Sequence, residues 1–212
     1  MGSATNRWRS DDHASAWLEM LPTLPHIDEA DAALLEWLPE EVDRFLDLGT
    51  GSGRLIALLL DARPTARAVG LDFSPVMLDA ARRRFADDGR IEVLEHDLDE
   101  PVPPLGPFCA VVSALAIHHC PDERKRQLYA EAHGLLRPGG VFLNLEHVAS
   151  PTDRLHESFL AAVGTTPEED DPSNILLDVD TQLRWLREIG FVDVDCHWKW
   201  REVALLGGTR AD

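Results

Sequence analysis

Short apolar runs alternate with longer amphipathic stretches along most of the chain. The runs have the length of buried strands and lie at residues 44–48, 68–71, 91–94, 110–117, 141–145, 191–195 and 203–206. Between them, apolar positions recur at helical spacing, which predicts helices over residues 55–63, 75–85, 122–136 and 181–189. Strands that alternate with helices predict an α/β fold, a parallel sheet with helices on both faces. The last two strands are close enough in sequence to pair as neighbours.

Two stretches lie outside this alternation. Residues 1–39 are predicted to form an N-terminal helical cover, and residues 149–180 are predicted to form a lid insertion with an acidic centre. The remainder, residues 40–212, then forms one sheet domain, which is the expected organisation for a chain of this length. Both extra stretches are long enough to cover the edge of the sheet at which ligands bind.

Composition narrows the class of protein further. The 212 residues are 44% hydrophobic and 27% charged, which is typical of a globular fold. The net charge of −18 argues against a broad nucleic-acid surface, because phosphate binding needs clustered Lys and Arg side chains. Three scattered cysteines are too few for a disulfide framework, and no apolar run reaches the roughly 18 residues of a membrane-spanning helix. We therefore expect a cytoplasmic protein with no membrane segment.

The most informative motif is the sequence Asp-Leu-Gly-Thr-Gly-Ser-Gly at residues 47–53, between a predicted strand and a predicted helix. Glycines in such a turn let the backbone bend sharply and let a ligand approach its amides. A dinucleotide-binding fingerprint would place a glycine where Arg54 stands, which disfavours an NAD-dependent oxidoreductase. The turn predicts a ligand site, with the candidate residues Asp47, Gly49, Thr50, Gly51 and Gly53.

Two acidic residues follow the next two strands. Asp72 ends the second strand, where a carboxylate can accept hydrogen bonds from both hydroxyls of a ribose. Asp97 follows the third strand, where it can accept from the exocyclic amine of an adenine. Because the carboxyl ends of parallel strands share one edge of the sheet, these acids and the glycine turn together predict a nucleoside site.

These motifs, with the Pro-Gly-Gly turn at residues 138–140, resemble those of the class I S-adenosylmethionine-dependent methyltransferases over roughly residues 40–206. The resemblance implies a Rossmann-like, doubly wound, mostly parallel seven-stranded sheet with an antiparallel C-terminal hairpin. It implies S-adenosyl-L-methionine as cofactor and S-adenosyl-L-homocysteine as product. In this family the glycine turn and Asp47 would hold the methionine part. The remaining cofactor contacts would be Asp72 on the ribose, Phe73 and Met77 beside the adenine, Asp97 and Leu98 at its edge, and Ser113 and Ala114 near the sulfonium.

A pair of histidines, His118 and His119, follows the fourth predicted strand. The family resemblance places this segment beside the methyl acceptor, where a histidine can act as a general base. Two alternatives stay open: a histidine that only orders the loop, and methyl transfer that needs no base because proximity and alignment suffice.

Glu146 and His147 follow the fifth strand and are predicted to line the acceptor site with His26 and Trp17 of the N-terminal cover. His119, Glu146 and His147 have side chains of the kind that bind metal ions. Their spacing matches no compact metal motif, so a metal ion is the less favoured alternative.

The sequence as a whole predicts a methyltransferase that acts on a small molecule by direct displacement, as a monomer or homodimer. A methyltransferase of wobble uridine in tRNA is the main alternative, and the net charge of −18 counts against it. A non-catalytic protein that binds S-adenosylmethionine is the third, because these enzymes share no universal catalytic residue.

Overall fold

The computed structural model describes residues 10, 12 and 24–211. Its strands in chain order are β1 (Arg44–Leu48), β2 (Arg67–Asp72), β3 (Ile91–Glu95), β4 (Phe108–Ala114), β5 (Leu136–His147), β6 (Phe191–Trp200) and β7 (Val203–Arg210). They form one seven-stranded sheet in the order β3-β2-β1-β4-β5-β7-β6. The first five strands pair in parallel, and β7 is antiparallel to both β5 and β6. The predicted fold class is confirmed.

Helices connect the strands and cover both faces of the sheet. They are α1 (Ile27–Trp37), α2 (Arg54–Ala62), α3 (Pro75–Arg84), α4 (Asp122–Leu135), α5 (Asp153–Ala162) and α6 (Val179–Ile189). Alternate residues of β1 enter two different cores, as the period of a strand requires. Leu46 packs with Tyr129 of α4 on one face, and Phe45 packs with Leu34 of α1 and Leu59 of α2 on the other. Among the described residues, no helix is long and apolar enough to cross a membrane.

The fourth strand is shorter than the sequence predicts. The prediction extends it to residue 117, but β4 ends at Ala114, and Leu115 takes a left-handed backbone with φ 53°. A short 3-10 helix, Ile117–His119, follows. Hydrophobicity alone cannot reveal this turn, because Leu115 and Ile117 are as buried as the strand before them. The turn redirects the chain over the carboxyl edge of the sheet, and both histidines lie in the 3-10 helix that follows it.

The insertion between β5 and α6 contains a helix that the sequence analysis did not predict. Thr152 caps α5 by accepting a hydrogen bond from the backbone N–H of Leu155. By contrast, Ser74 occupies the cap position of α3, but its side chain makes no capping hydrogen bond. The described part of the predicted N-terminal cover is residues 10, 12 and 24–39, and α1 packs against α2 and the strands β5, β6 and β7.

Candidate functional site

A cleft with about 980 Å³ of empty space opens at the carboxyl ends of β1, β2 and β4. Strands β1 and β4 are the neighbours at which the strand order of the sheet reverses, the usual ligand position in a doubly wound fold. Ten of the twelve predicted cofactor residues line this cleft: Asp47, Gly49, Thr50, Gly51, Asp72, Phe73, Met77, Asp97, Leu98 and Ala114.

Asp47 supplies an unpaired acceptor in the floor of the cleft. Its Oδ2 atom accepts a hydrogen bond from the Thr50 hydroxyl at 2.7 Å, while Oδ1 is buried without a partner in the described structure. Burial raises the pKa of Asp47 to about 7, because a carboxylate loses hydration there and gains little in return. A cationic donor placed against Oδ1 would satisfy this atom.

Asp72 ties the second strand to the glycine turn. Its Oδ2 atom accepts from the backbone N–H of Gly51 at 2.8 Å, and its Oδ1 atom accepts from the N–H of Ser74 at 2.9 Å. Burial raises the pKa of Asp72 above its usual value, although these backbone donors act in the opposite direction. Each carboxylate oxygen can accept more than one hydrogen bond, so both retain capacity for the hydroxyls of a ligand.

The glycine turn and the loop after β4 are in close contact. Gly49 has φ +71°, and a Cβ atom added to it would lie 2.2 Å from the Cβ of Ala116. This position therefore requires glycine both for its backbone conformation and for space. The contact fixes the loop that carries Leu115 and the two histidines against the cofactor cleft.

Two predicted cofactor residues lie outside the cleft lining. Ser113 is fully buried, and its hydroxyl donates to the carbonyl of Leu48 at 2.8 Å, which ties β4 to β1. Gly53 precedes α2 with φ +78°, and an added Cβ would meet the ring of Phe85 at 2.3 Å. Ser113 thus ties β4 to β1 and Gly53 packs against Phe85, while a direct contact of either residue with the cofactor stays a prediction.

A second cavity adjoins the cleft and shares Leu115 and His119 with it. Its walls come from the start of α1, from the insertion and from the β6–β7 hairpin. The lining includes the predicted residues His26, His118, His119 and His147. Trp17 lies outside the described residues. The second cavity therefore meets the cleft at the end of β4, where the family resemblance places the acceptor.

His118 is held by a buried carboxylate. Its Nδ1 atom lies 2.7 Å from Oε1 of Glu146, and the two side chains are 6% and 0% exposed. Glu146 also accepts from the amide of Asn144 at 3.1 Å and from the backbone N–H of His147 at 3.0 Å. Because a carboxylate only accepts, this contact assigns a proton to Nδ1, which leaves Nε2 as the nitrogen that faces away from Glu146. Glu146 is thus behind His118 and is not part of the cavity lining.

The other residues considered for a metal site diverge. The ring of His147 points to Glu202, with Nε2 3.1 Å from its Oε2, and the Nδ1 atom of His119 lies near Ser173 of the insertion. No group of three or more His, Cys, Asp or Glu side chains within the described residues could hold a metal ion.

Several lining residues escaped the sequence analysis. Arg54 lines the cleft and forms a 2.5 Å ion pair with Asp31 of α1, and His96, Asp99, Ala116 and Cys120 line it as well. In the second cavity, Trp198, Trp200 and Phe159 form an aromatic wall, and no sequence motif marks these three residues. Arg54, His96 and Asp99 adjoin the motifs in sequence, whereas Phe159, Trp198 and Trp200 lie far from them and reach the site only through the fold.

Comparison with known proteins defines the class. A family described as a methyltransferase domain matches residues 45–140. A demethylmenaquinone methyltransferase of Thermus thermophilus is 36% identical over 126 residues, which are 55% of this chain and 56% of that protein. A trans-aconitate 2-methyltransferase of Methylobacterium radiotolerans is 34% identical over 134 residues, 62% of this chain and 49% of that protein. The chain thus spans about half the length of these relatives.

A solved structure confirms the fold. An O-methyltransferase family protein from Burkholderia thailandensis superposes with a TM-score of 0.75 at 21% identity, covering 97% of this chain and 62% of that one. Residues 45–140 match a methyltransferase domain, and the chain has a Rossmann-like fold. In sequence and structure it resembles the class I S-adenosylmethionine-dependent methyltransferases.

Proposed function

We propose that this protein transfers the methyl group of S-adenosyl-L-methionine to a small-molecule acceptor by direct displacement, leaving S-adenosyl-L-homocysteine. One observation carries the proposal: the cleft of the family's cofactor and a second, largely apolar cavity meet at Leu115 and His119. A donor in the first and an acceptor in the second would be in contact there, and proximity with alignment is a large part of catalysis.

The cleft fits the cofactor in chemistry as well as in position. The buried, unpaired Oδ1 atom of Asp47 is an acceptor for the amino group of the methionine part. Asp72 offers carboxylate oxygens to the ribose, and Phe73 and Met77 offer apolar surfaces to the adenine. The cofactor, when bound, supplies a methyl group on a positively charged sulfur.

His118 is the proposed general base. Glu146 fixes its Nδ1–H, so that Nε2 is available to take a proton from an acceptor hydroxyl or amine as that atom attacks the methyl carbon. The buried carboxylate also stabilises the imidazolium that results. His119 is proposed to border the passage in which donor and acceptor meet, because it lines both cavities.

We propose a small molecule and not a nucleic acid as acceptor, because the net charge is −18 and the second cavity carries carboxylates. The N-terminal cover, including Trp17, and the insertion are proposed to close over the acceptor. A cytoplasmic monomer or homodimer is the expected form.

The proposal is tested by incubating the full chain with S-adenosyl-L-methionine and a panel of aromatic and aliphatic alcohols and amines, with S-adenosyl-L-homocysteine release as the readout. We expect acceptor-dependent release that survives a chelator and is lost in His118→Asn. The matched control is His133→Asn, on α4 and outside both cavity linings. Cofactor binding with no release for any acceptor would favour a non-catalytic binding protein.

A further inference from the structure

Five polar side chains are hydrogen-bonded to one another behind the second cavity, in a core that is otherwise mostly apolar. Each of these residues is at most 5% exposed; they are His118, Tyr129 of α4, Asn144 and Glu146 of β5, and Gln182 of α6. Asn144 and Glu146 are two positions apart, so both side chains point to the face of β5 that packs against α4. We refer to these five residues as the core network.

The hydrogen bonds at the far end of the core network have only one consistent direction. The backbone carbonyl of Leu177 can only accept, so the amide nitrogen of Gln182, 2.9 Å away, faces this carbonyl. The Oε1 atom of Gln182 therefore faces Tyr129, whose hydroxyl donates to it at 2.5 Å. Burial raises the pKa of Tyr129 well above its usual value, so the hydroxyl keeps the proton for this bond.

Tyr129 in turn fixes the amide of Asn144. Because its own proton is committed, the hydroxyl of Tyr129 can only accept from Nδ2 of Asn144, which lies 3.3 Å away. Nδ2 also donates to Oε2 of Glu146 at 3.1 Å, and Oε1 of Glu146 lies 2.7 Å from Nδ1 of His118. The direction of every bond is thus set from the Tyr129 end and places a proton of His118 on Nδ1.

One polar atom of the core network has no partner, which a purely structural role does not explain. The Oδ1 atom of Asn144 is buried and accepts no hydrogen bond from the part of the chain that the structure describes. A buried amide with one unsatisfied end stabilises a core less well than an apolar side chain of similar size. Two positions earlier on the same face, Phe142 is apolar and packs against the ring of Tyr129 at 5.3 Å. The polar positions are thus confined to the end of β5 that approaches His118.

We propose that Tyr129 and Asn144 are positioning residues for His118. They hold Glu146 as the acceptor of the Nδ1–H group, so that Nε2 is the nitrogen left to take the proton of the methyl acceptor. Neither residue lines the cleft or the second cavity, so both act through Glu146. The inference rests on the proposed function in its use of His118 as a base, whereas the proton position on the ring is a property of the chain alone.

The proton position is measured by NMR on the full chain with isotope-labelled histidine. The two ring nitrogens give separate signals, which distinguish an N–H group from a bare nitrogen, and their loss in His118→Asn assigns them. Spectra are recorded at rising pH until these signals stop changing. We expect the parent ring to carry its proton on Nδ1 alone. In Tyr129→Phe and in Asn144→Leu, at least about a tenth of the molecules should carry it on Nε2.

Methyl transfer gives a second readout. With an acceptor that the parent methylates, Tyr129→Phe and Asn144→Leu should each lower kcat at least about fivefold. The KM of the acceptor and the Kd of S-adenosyl-L-methionine should stay within about twofold of the parent values, because neither residue lines a binding site.

The matched control is Leu143→Ala. Leu143 is 1% exposed, adjoins Asn144 in β5 and packs in the core on the opposite face of the sheet. Leu143→Ala should lower the melting temperature at least as much as Tyr129→Phe, because it leaves a cavity in the core. It should leave the proton position and kcat unchanged, since the core network is intact.

Tyr129→Phe removes one hydroxyl and keeps the shape of the ring, so it tests the inference without Asn144→Leu should that variant fail to fold. A parent ring that carries its proton on Nε2, a parental proton position or kcat in Tyr129→Phe, or the same redistribution in Leu143→Ala would overturn the inference.

The two readouts distinguish this inference from the proposed function. A redistributed proton in Tyr129→Phe, with no methyl transfer by the parent to any acceptor, supports the inference and counts against the proposed function. Loss of methyl transfer in His118→Asn, with parental proton position and kcat in Tyr129→Phe, supports the proposed function and overturns the inference.

Discussion

The cofactor cleft and the second cavity share a wall but are built in different ways. The cleft is made by turns that directly follow β1, β2 and β4, with further residues after β3, so most of its lining lies within a few residues of a strand end. The second cavity draws on the start of α1, the loop after β4, the insertion and the β6–β7 hairpin. In a parallel sheet, motif residues that follow the strands lie together at the carboxyl edge because of the strand pairing alone. A cavity closed by distant segments depends on tertiary packing.

The largest expected effect is a loss of methyl transfer without a loss of cofactor binding, which separates the second cavity from the cleft. His118→Asn should lower methyl transfer by about 10²–10⁴-fold, because the proton of the acceptor loses its base. The dissociation constant of S-adenosyl-L-methionine should stay within about twofold of the parent value, since His118 lines only the second cavity. Steady-state kinetics and calorimetry measure the two quantities.

Glu146→Gln tests whether Glu146 acts by positioning His118. The amide keeps the shape of the side chain but removes its negative charge. If Glu146 only positions His118, methyl transfer should fall less than in His118→Asn, and the pH–rate profile should change. Equal activity of parent, His118→Asn and Glu146→Gln would leave proximity alone as the mechanism and contradict the proposed base.

Gly49→Ala should damage both regions, because the new methyl group would press on Ala116 and force a positive φ on alanine. We expect loss of about 2–4 kcal/mol of unfolding free energy and cofactor affinity at least about tenfold weaker. Gly139→Ala is the matched control, since Gly139 has φ +72° but no atom within 4 Å of an added Cβ. Thermal melts and cofactor titrations that are the same for both variants would refute the close contact.

The raised pKa of Asp47 predicts that stability and cofactor affinity depend on pH through a residue of the cleft and not of the second cavity. Its pKa of about 7 exceeds the unfolded value of 3.8, so its stabilising contribution is complete below pH 3.8 and is lost as pH rises through 7. A cationic amino group favours the ionised carboxylate, so cofactor affinity should fall by up to about tenfold per pH unit below 7. Calorimetry from pH 5.5 to 8 measures this slope.

Asp47→Asn removes the titrating group and provides the test of that assignment. The variant should bind the cofactor about tenfold or more weakly at pH 8, lose the pH slope below 7, and melt at a higher temperature at pH 8. An unchanged slope in Asp47→Asn would assign the pH dependence to another group.

The smallest expected effect concerns the binding of nucleic acid. We expect no measurable binding of bulk tRNA at about 150 mM salt, because the chain carries a net charge of −18. A gel-shift titration at several salt concentrations measures this. A micromolar complex with a steep salt dependence would place the wobble-uridine alternative ahead of a small-molecule acceptor.

The sequence predicts the cleft well because its residues obey local rules. Asp47 is the penultimate residue of β1 and Asp72 is the last residue of β2, while the glycine turn needs positive φ angles. Residue type and strand position therefore identify these residues together. Ser113 and Ala114 are both predicted near the sulfonium, but adjacent strand residues point to opposite faces. Ala114 lines the cleft and the Ser113 side chain is buried against β1; hydrophobicity does not tell which face a small polar side chain takes.

The second cavity is harder to predict for two physical reasons. The left-handed turn at Leu115 shortens β4 in a segment whose residues are uniformly apolar, so no periodicity marks it. The pairing of His118 with Glu146 joins residues 28 positions apart, and only the sheet register places them side by side. The acids of the insertion and the hairpin tryptophans reach the same space through tertiary packing alone.

One calorimetric experiment tests the central claim that the cleft is a methyl-donor site. S-adenosyl-L-methionine, S-adenosyl-L-homocysteine and NAD are titrated into the parent chain, Asp72→Ala and the matched control Asp61→Ala, an exposed residue of α2. The account predicts binding of the first two ligands by the parent and the control, no binding of NAD, and affinity at least about tenfold lower in Asp72→Ala. Tight NAD binding, or equal S-adenosyl-L-methionine affinity in all three proteins, would contradict it.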